Sequence, residues 1–211
     1  MKKNQVTDRL KFERQLWDEG FERIMGLDEV GRGCLAGPVV AAGVVFKPNA
    51  YLPEIRDSKT MSEKERIELA AIIKKEALLW SVQEGSISEI NKLNILWASL
   101  QTMQKCVDAV TMEPDYLLVD GNRFIKTLKP YTCLVKGDDR SMSIAAASIL
   151  AKVYRDDLMR ELHHKYPEYS WDTNVGYPTA AHKEALRKYG YTKYHRISFN
   201  LGTGKKRVKT E

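Results

Sequence analysis

Gly26-Leu27-Asp28-Glu29-Val30-Gly31-Arg32-Gly33 is the stretch on which the reading of this chain turns. Two adjacent carboxylates close an apolar segment (Ile24, Met25, Leu27) and lead directly into a glycine–arginine–glycine turn. Burying an unpaired carboxylate at the end of a hydrophobic strand is costly. A hard divalent cation offsets that cost, because it takes oxygen ligands. The glycines let backbone approach a ligand closely and turn N–H groups toward an anion or a hydroxyl. The stretch therefore points to metal-dependent chemistry on a sugar-phosphate.

Working outward, residues 24–28 read as a short strand and the valine-rich residues 37–46 as a second. So short a connection predicts an antiparallel pair. Asp57-Ser58-Lys59-Thr60 reads as a polar loop, and Ser62 with Glu65 forms a capping-box pattern for a helix to about Lys75. Further strands are expected over residues 79–85, 116–120 and 132–136, and helices over 4–20, 95–110, 143–164 and 180–189. The first helix carries a possible docking stripe of Leu10 and Trp17, and Trp97 is expected in the core. Composition shifts after Pro167, which places a soft boundary near Tyr166 between residues 1–165 and 166–211. The pattern predicts an α/β fold, a mixed central β-sheet flanked by helices, with a helical C-terminal appendage. Ligands of such sheets bind beyond strand ends, where Asp28 and Asp120 fall.

The 211 residues suffice for one sizeable core and a small appendage. The longest apolar run, residues 39–46, is too short to span a bilayer. Met1-Lys2-Lys3-Asn4 leads into a charged segment, not the apolar core of a signal peptide. Cys34, Cys106 and Cys133 have no zinc spacing, and their odd number argues against a disulfide framework, so a reducing cytoplasm is expected. A net charge of +6 and a pI near 9.1 favour a polyanionic partner without singling out nucleic acid. A monomer is the default.

Four acids stand out: Asp28, Glu29, Asp120 and Asp138. Each follows an apolar strand and lies beside a glycine. Taken singly, such residues are solvated turns. Taken together, they form the donor set that two metals about 3.5–4 Å apart need to clamp the attacking and leaving oxygens of a phosphoryl displacement. Strand geometry raises a difficulty, because neighbouring residues point to opposite faces. Asp28 and Glu29 share a metal only if the strand ends or bulges there; otherwise one serves elsewhere. On charge alone, Asp139 and the Asp156-Asp157 pair compete for the fourth place.

Residues 26–42, Gly-Leu-Asp-Glu-Val-Gly-Arg-Gly-Cys-Leu-Ala-Gly-Pro-Val-Val-Ala-Ala, resemble the opening motif of bacterial ribonuclease HII. The resemblance continues through Asp57-Ser58-Lys59, Asn91-Lys92-Leu93-Asn94-Ile95-Leu96 and Leu118-Val119-Asp120-Gly121-Asn122. It extends through Lys136-Gly137-Asp138, residues 143–153 and Gly176-Tyr177-Pro178-Thr179, covering most of residues 24–199. It implies a ribonuclease H-like fold and a site of Asp28, Glu29, Asp120 and Asp138, with Asp138 favoured over Asp139. Both members of the Asp28-Glu29 pair would then face the metals, so the strand must end or distort there.

The implied activity is endonucleolytic cleavage of RNA in RNA–DNA hybrid duplexes with Mn²⁺ or Mg²⁺ in a two-metal site. The cut would fall 5′ of a ribonucleotide at an RNA–DNA junction, even a single one embedded in DNA, leaving a 3′-hydroxyl and a 5′-phosphate. Implied partners are the hybrid duplex and ribonucleotide-containing DNA, with roles in DNA repair and replication. Selectivity needs a reader of the 2′-hydroxyl. By resemblance, Gly31, Arg32 and Gly33 contact the ribonucleotide through backbone groups, and Tyr177 packs on the neighbouring deoxyribose. Lys59, Lys136 and Lys152 are then phosphate contacts, and Ser58 and Asn122 hydrogen-bond the backbone or water. By residue type alone the lysines would be solvated, Ser58 and Asn122 would be turn caps, and Tyr177 a turn residue before proline.

Ribonuclease HIII resembles this site but carries a large N-terminal domain, for which the 27 residues before Asp28 leave no room. Ribonuclease HI lacks the Asp-Glu-Val-Gly-Arg-Gly opening. A non-catalytic hybrid binder would gain little from clustered acids beside phosphate. The basic run 204–209 is either a source of salt-sensitive affinity or a solubilising tail. His163, His164, His182 and His195 lack metal spacing and are expected at the surface or on phosphate.

Overall fold

A computed structural model of the chain describes residues 8–55 and 61–199. The Asp57–Thr60 loop, with Ser58 and Lys59, and the basic run 204–209 lie outside the described residues. Five strands form one sheet: β1 (Ile24–Val30), β2 (Val39–Val45), β3 (Leu79–Gly85), β4 (Tyr116–Asp120) and β5 (Tyr131–Leu134). Their spatial order is β3-β2-β1-β4-β5. β1 runs antiparallel to β2, as the short connection demands, and parallel to β4; β4 and β5 are also parallel. The sheet is therefore mixed, with β1 at its centre.

The helices are α1 (Lys11–Asp18), α2 (Glu63–Glu76), α3 (Ile87–Leu93), α4 (Ile95–Asp108), α5 (Met142–Lys165), α6 (Trp171–Asn174) and α7 (Ala180–Tyr189). Strand alternation sorts their contacts into two layers. On one face, Val40, Ala42 and Val44 pack against Ala146, Ile149 and Leu150 of α5 and Ile73 of α2. On the other, Met25, Leu27, Ala41 and Val45 pack against Leu100, Met103, Cys106 and Val107 of α4.

The capping box at Ser62 and Glu65 is present in full at α2. The same device at Ser86 and Glu89 starts α3, a helix the sequence reading did not anticipate. Asn94 separates α3 from α4 with φ of 66° and caps α4 by accepting from Leu96 N–H. Trp97 is 48 % exposed and does not join the core. The buried face of α4 runs through Ala98, Thr102, Met103 and Cys106, one residue out of phase with it.

The start of α5 anchors the sheet. A Cβ on Gly26 would lie 2.2 Å from the Ser143 carbonyl carbon and 2.4 Å from Ile144 N, so only glycine lets β1 approach this closely. Buried Glu13 of α1 caps the same helix end: its Oε1 accepts from Ser143 N–H at 3.0 Å and from the Ser141 hydroxyl at 2.6 Å. A carboxylate there also answers the helix dipole.

The chain after α5 forms its own apolar cluster, in which Tyr169, Trp171, Leu186 and Tyr191 pack on Leu35, Ala36, Met159 and Leu162. His182 and His195 lie inside it, 0 % and 1 % exposed, which corrects the surface placement expected for them. They are buried because they satisfy each other: their Nε2 atoms are 3.2 Å apart.

Gly26→Ala is expected to destabilise the chain by about 1–3 kcal/mol or more through overpacking against rigid backbone, as measured by urea unfolding. Acid provides a second check. Burial holds His182 below its ordinary pKa and pushes His195 down to about 3. The unfolded chain therefore takes up protons first, so stability is complete above the ordinary value of 6.5 and declines as pH falls toward 3. Thermal melts should show that decline, and His195→Gln should flatten it.

Candidate active site

At the end of the sheet where β1 outruns β4, a cavity of about 550 Å³ is bordered by Asp28, Glu29, Asp120 and Asp138. Gly31, Arg32, Gly33, Lys136, Lys152 and Tyr177 also line it, together with Val30, Arg66 and Ser148. Three distant segments thus deliver the four acids to one place.

Asp28 and Glu29 reach it without the break expected of the strand. β1 stays paired through both, Asp28 opposite Ala42, Glu29 opposite Ala41 and Val30 opposite Val40, with no bulge. The reason lies on the other edge. Pairing of β1 with β4 stops at Leu27 and Val119, and β4 ends at Asp120. Beyond Leu27 the pairing of β1 with β4 is over, and the cavity is lined by Asp28, Glu29 and Val30 in succession. Asp28 hydrogen-bonds Ser148 of α5, and Glu29 meets Arg32 Nη1 at 3.0 Å.

Asp120 is fixed by Gly137 N–H, which donates to its Oδ1 at 2.6 Å. Asp138 follows in the tight turn Gly137–Asp139 and is buried. Its rivals are placed otherwise. Asp139 is half-exposed beside Arg9 at 3.9 Å, Asp156 is bonded to Lys152 at 2.7 Å, and Asp157 is exposed beside Arg160. Asn122 is exposed and does not border the cavity.

The acids burden one another. Burial, then the charges of Glu29 and Asp120, hold Asp28 well above the carboxylate range. Burial pushes Glu29 up to about 7 although Arg32 opposes the rise. Among the described residues no three His, Cys, Asp or Glu side chains already form a cluster that could hold a metal ion. The donor set nevertheless suits a hard cation: it is all oxygen, with Asp28 and Asp138 buried and the charges of Glu29 and Asp120 pressing on Asp28. Asp28, Glu29, Asp120 and Asp138 are the residues that would hold it.

Two residues that the sequence reading missed shape the turn after β1. Arg155 and Arg196 are both fully buried. Arg155 donates to the carbonyls of Pro38 (3.0 Å), Ala36 (3.0 Å) and Val175 (2.8 Å), and Arg196 to those of Gly37 (2.9 Å) and Arg32 (3.1 Å). Gly31, at φ of 91°, leaves room for Arg155: a Cβ there would lie 2.2 Å from its Nε. The available signal was an arginine on the buried stripe Ala151-Arg155-Met159, where an apolar residue belongs.

Residues 25–201 match the family described as Ribonuclease HII. The chain belongs to the ribonuclease HII family. Ribonuclease HII of Salinibacter ruber is 50% identical over 196 residues, which span 91% of this chain and 98% of that one. Among solved structures, ribonuclease H2 from Pyrococcus horikoshii OT3 is similar with a TM-score of 0.74 at 23% identity, covering 85% of this chain and 94% of that one. Bst-RNase HIII in complex with Mn²⁺ is similar at 0.64 and 21%, covering 86% and 68%. These two likenesses speak for the fold. Family membership makes the chain an enzyme, a ribonuclease H that acts on RNA–DNA hybrids and depends on divalent metal.

Because its folded pKa is raised, ionised Asp28 destabilises the metal-free ribonuclease HII fold above the ordinary carboxylate pKa of 3.8. In EDTA at pH 7.5, Asp28→Asn is expected to melt higher, by roughly 2–4 °C for each kcal/mol relieved. The gain should vanish as pH falls below 4, and Mn²⁺ should raise the wild-type midpoint more than the variant's.

Proposed function

We propose that the chain cuts 5′ of a ribonucleotide at RNA–DNA junctions, including a single ribonucleotide embedded in DNA. The products would carry a 3′-hydroxyl and a 5′-phosphate. What supports this most is one cavity bordered by the four acids together with the Gly31–Gly33 turn and Tyr177. Two divalent ions, Mn²⁺ or Mg²⁺, held by Asp28, Glu29, Asp120 and Asp138 would supply a water ionised near neutral pH and neutralise charge at the leaving 3′-oxygen.

The chain's own residues position the substrate. Gly33 faces the Tyr177 ring, with an imagined Cβ 3.9 Å from Tyr177 Cε1, so a sugar at the rim would meet both. Backbone groups of Gly31, Arg32 and Gly33 would read the 2′-hydroxyl. Tyr177, 39 % exposed, would offer its ring to the next sugar, which fits a deoxyribose because a 2′-hydroxyl would be desolvated against it. Lys136 is exposed at the rim and free to follow a phosphate, whereas Lys152 shares its charge with Asp156. Asn122 would meet the duplex outside the cavity, and Ser58 and Lys59 keep the contacts assigned to them from sequence.

We assign residues 166–211 to substrate binding and the chain as a monomer to the cytoplasm, where it would remove ribonucleotides from DNA in repair and replication. Among the described residues no helix is long and apolar enough to cross a membrane.

An end-labelled DNA duplex with one ribonucleotide tests the reading. Mn²⁺ or Mg²⁺, but not EDTA, should give a cut on its 5′ side that Asp120→Asn reduces to background. Cleavage confined to continuous hybrids would refute the junction reading and leave the nuclease.

A further inference from the structure

Tyr177 is presented by a strained turn. Val175, a β-branched residue, sits at φ of 41°, and Gly176 follows at 86°. Such conformations persist only where surroundings over-determine them. Arg155 holds the Val175 carbonyl from one side. Backbone bonds add to this: Tyr177 N–H donates to the Asn174 carbonyl, and Thr179 N–H to the Tyr177 carbonyl, both at 2.8 Å. A side-chain hold on that same carbonyl comes through the buried histidines, whose tautomers the hydrogen bonds determine. Thr192 N–H can only donate, and it points at His195 Nδ1 at 2.9 Å, so that nitrogen is bare and the proton sits on Nε2. His195 Nε2–H then donates to His182 Nε2 at 3.2 Å, where Trp171 Nε1–H also points. His182 must therefore carry its proton on Nδ1, which donates to the Tyr177 carbonyl at 2.9 Å.

We propose that His182, oriented by His195 and Trp171, is a positioning residue that fixes Tyr177 at the cavity rim and thereby sets the preference for a ribose–deoxyribose junction. Both rings are neutral in this arrangement, and their burial keeps them so. The relay runs one way, from the Thr192 amide to the backbone of the residue that meets the sugar. His182 and His195 are fully buried, so neither touches substrate. The proposal rests on the junction reading of Tyr177.

The experiment compares kcat/KM on a DNA duplex with one ribonucleotide and on a continuous hybrid, with folding checked by near-ultraviolet circular dichroism. Tyr177→Ala should lower the ratio of the two. His182→Leu, which removes the Nδ1 donor, should lower it about tenfold, the scale of a sub-ångström misplacement. His182→Asn, whose amide can replace that donor, should restore most of it. The double variant His182→Leu/Tyr177→Ala should be no worse than Tyr177→Ala alone, because the two act as a unit. An equal loss on both substrates, or additive losses, would overturn the positioning role while leaving the junction reading intact. An unchanged ratio in Tyr177→Ala would sink the junction reading and the proposal with it. If His182→Leu fails to fold, imidazole ¹⁵N shifts of the wild-type protein decide at pH 7. His182 protonated at Nδ1 and His195 at Nε2 support the relay; the opposite tautomers refute it.

Discussion

Negative charge held close together under poor solvation is the constraint around which this molecule is arranged. Asp28 and Glu29 follow one another on the central strand, and Asp120 closes the strand beside it. Burial first, and neighbouring negative charge second, raise the two acids of β1 well above ordinary carboxylates. Local contacts, the Arg32–Glu29 pair and the Glu29 N–H on Asp28, offset only part of that cost, so the rest of the fold must hold the arrangement. The holding is visible in β1 itself, which is paired on both edges up to Leu27 and pressed onto the start of α5 at Gly26. It is visible again at Asp120, which spends one carboxylate oxygen on Gly137 N–H and so ties the turn bearing Asp138 to the end of β4.

The second consequence concerns the turn after β1. A Gly-Arg-Gly sequence is conformationally permissive and stays in one shape only if something holds it. The structure resolves this with Arg155 and Arg196, whose guanidinium groups occupy carbonyls of residues 32–38 from the buried side. Arg155 also reaches Val175, so one side chain connects the turn after β1 with the turn that carries Tyr177. The C-terminal cluster is thereby part of the site's framework, stitched to it by the Leu35, Gly37 and Arg196 amides.

How much could be read in advance follows from how local each cause is. β3, β4 and α7 fall where periodicity places them, and α2 begins at its capping box, because those signals sit within a few residues. Helix α3 carries the same Ser-x-x-Glu signal, but its seven residues are too few for a helical period to stand out beside it. The order β3-β2-β1-β4-β5 has no local signature, since it depends on which strand ends buried surface brings together. The same division runs through the site. The acids stand out by type and neighbouring glycines, and the structure does gather them. That Asp28 and Glu29 share a cavity across a regular strand depends on where a different strand stops, which no pattern around residue 28 reveals. The burial of His182, His195, Arg155 and Arg196 depends likewise on partners far away in the chain.

The distribution of charge adds a last step. A phosphodiester approaching four acids is repelled, although the whole chain is basic by six charges. The cations nearest the acids are partly committed: Arg32 to Glu29 and Lys152 to Asp156. Long-range attraction would therefore bring a polyanion to the surface; Arg66 and Lys136 also line the cavity, and a cation held by the acids would ease the last few ångströms. Electrostatic steering and reaction are separated in this way. A net positive chain attracts polyanions in general, and a phosphate would meet the acids on better terms once they hold a cation.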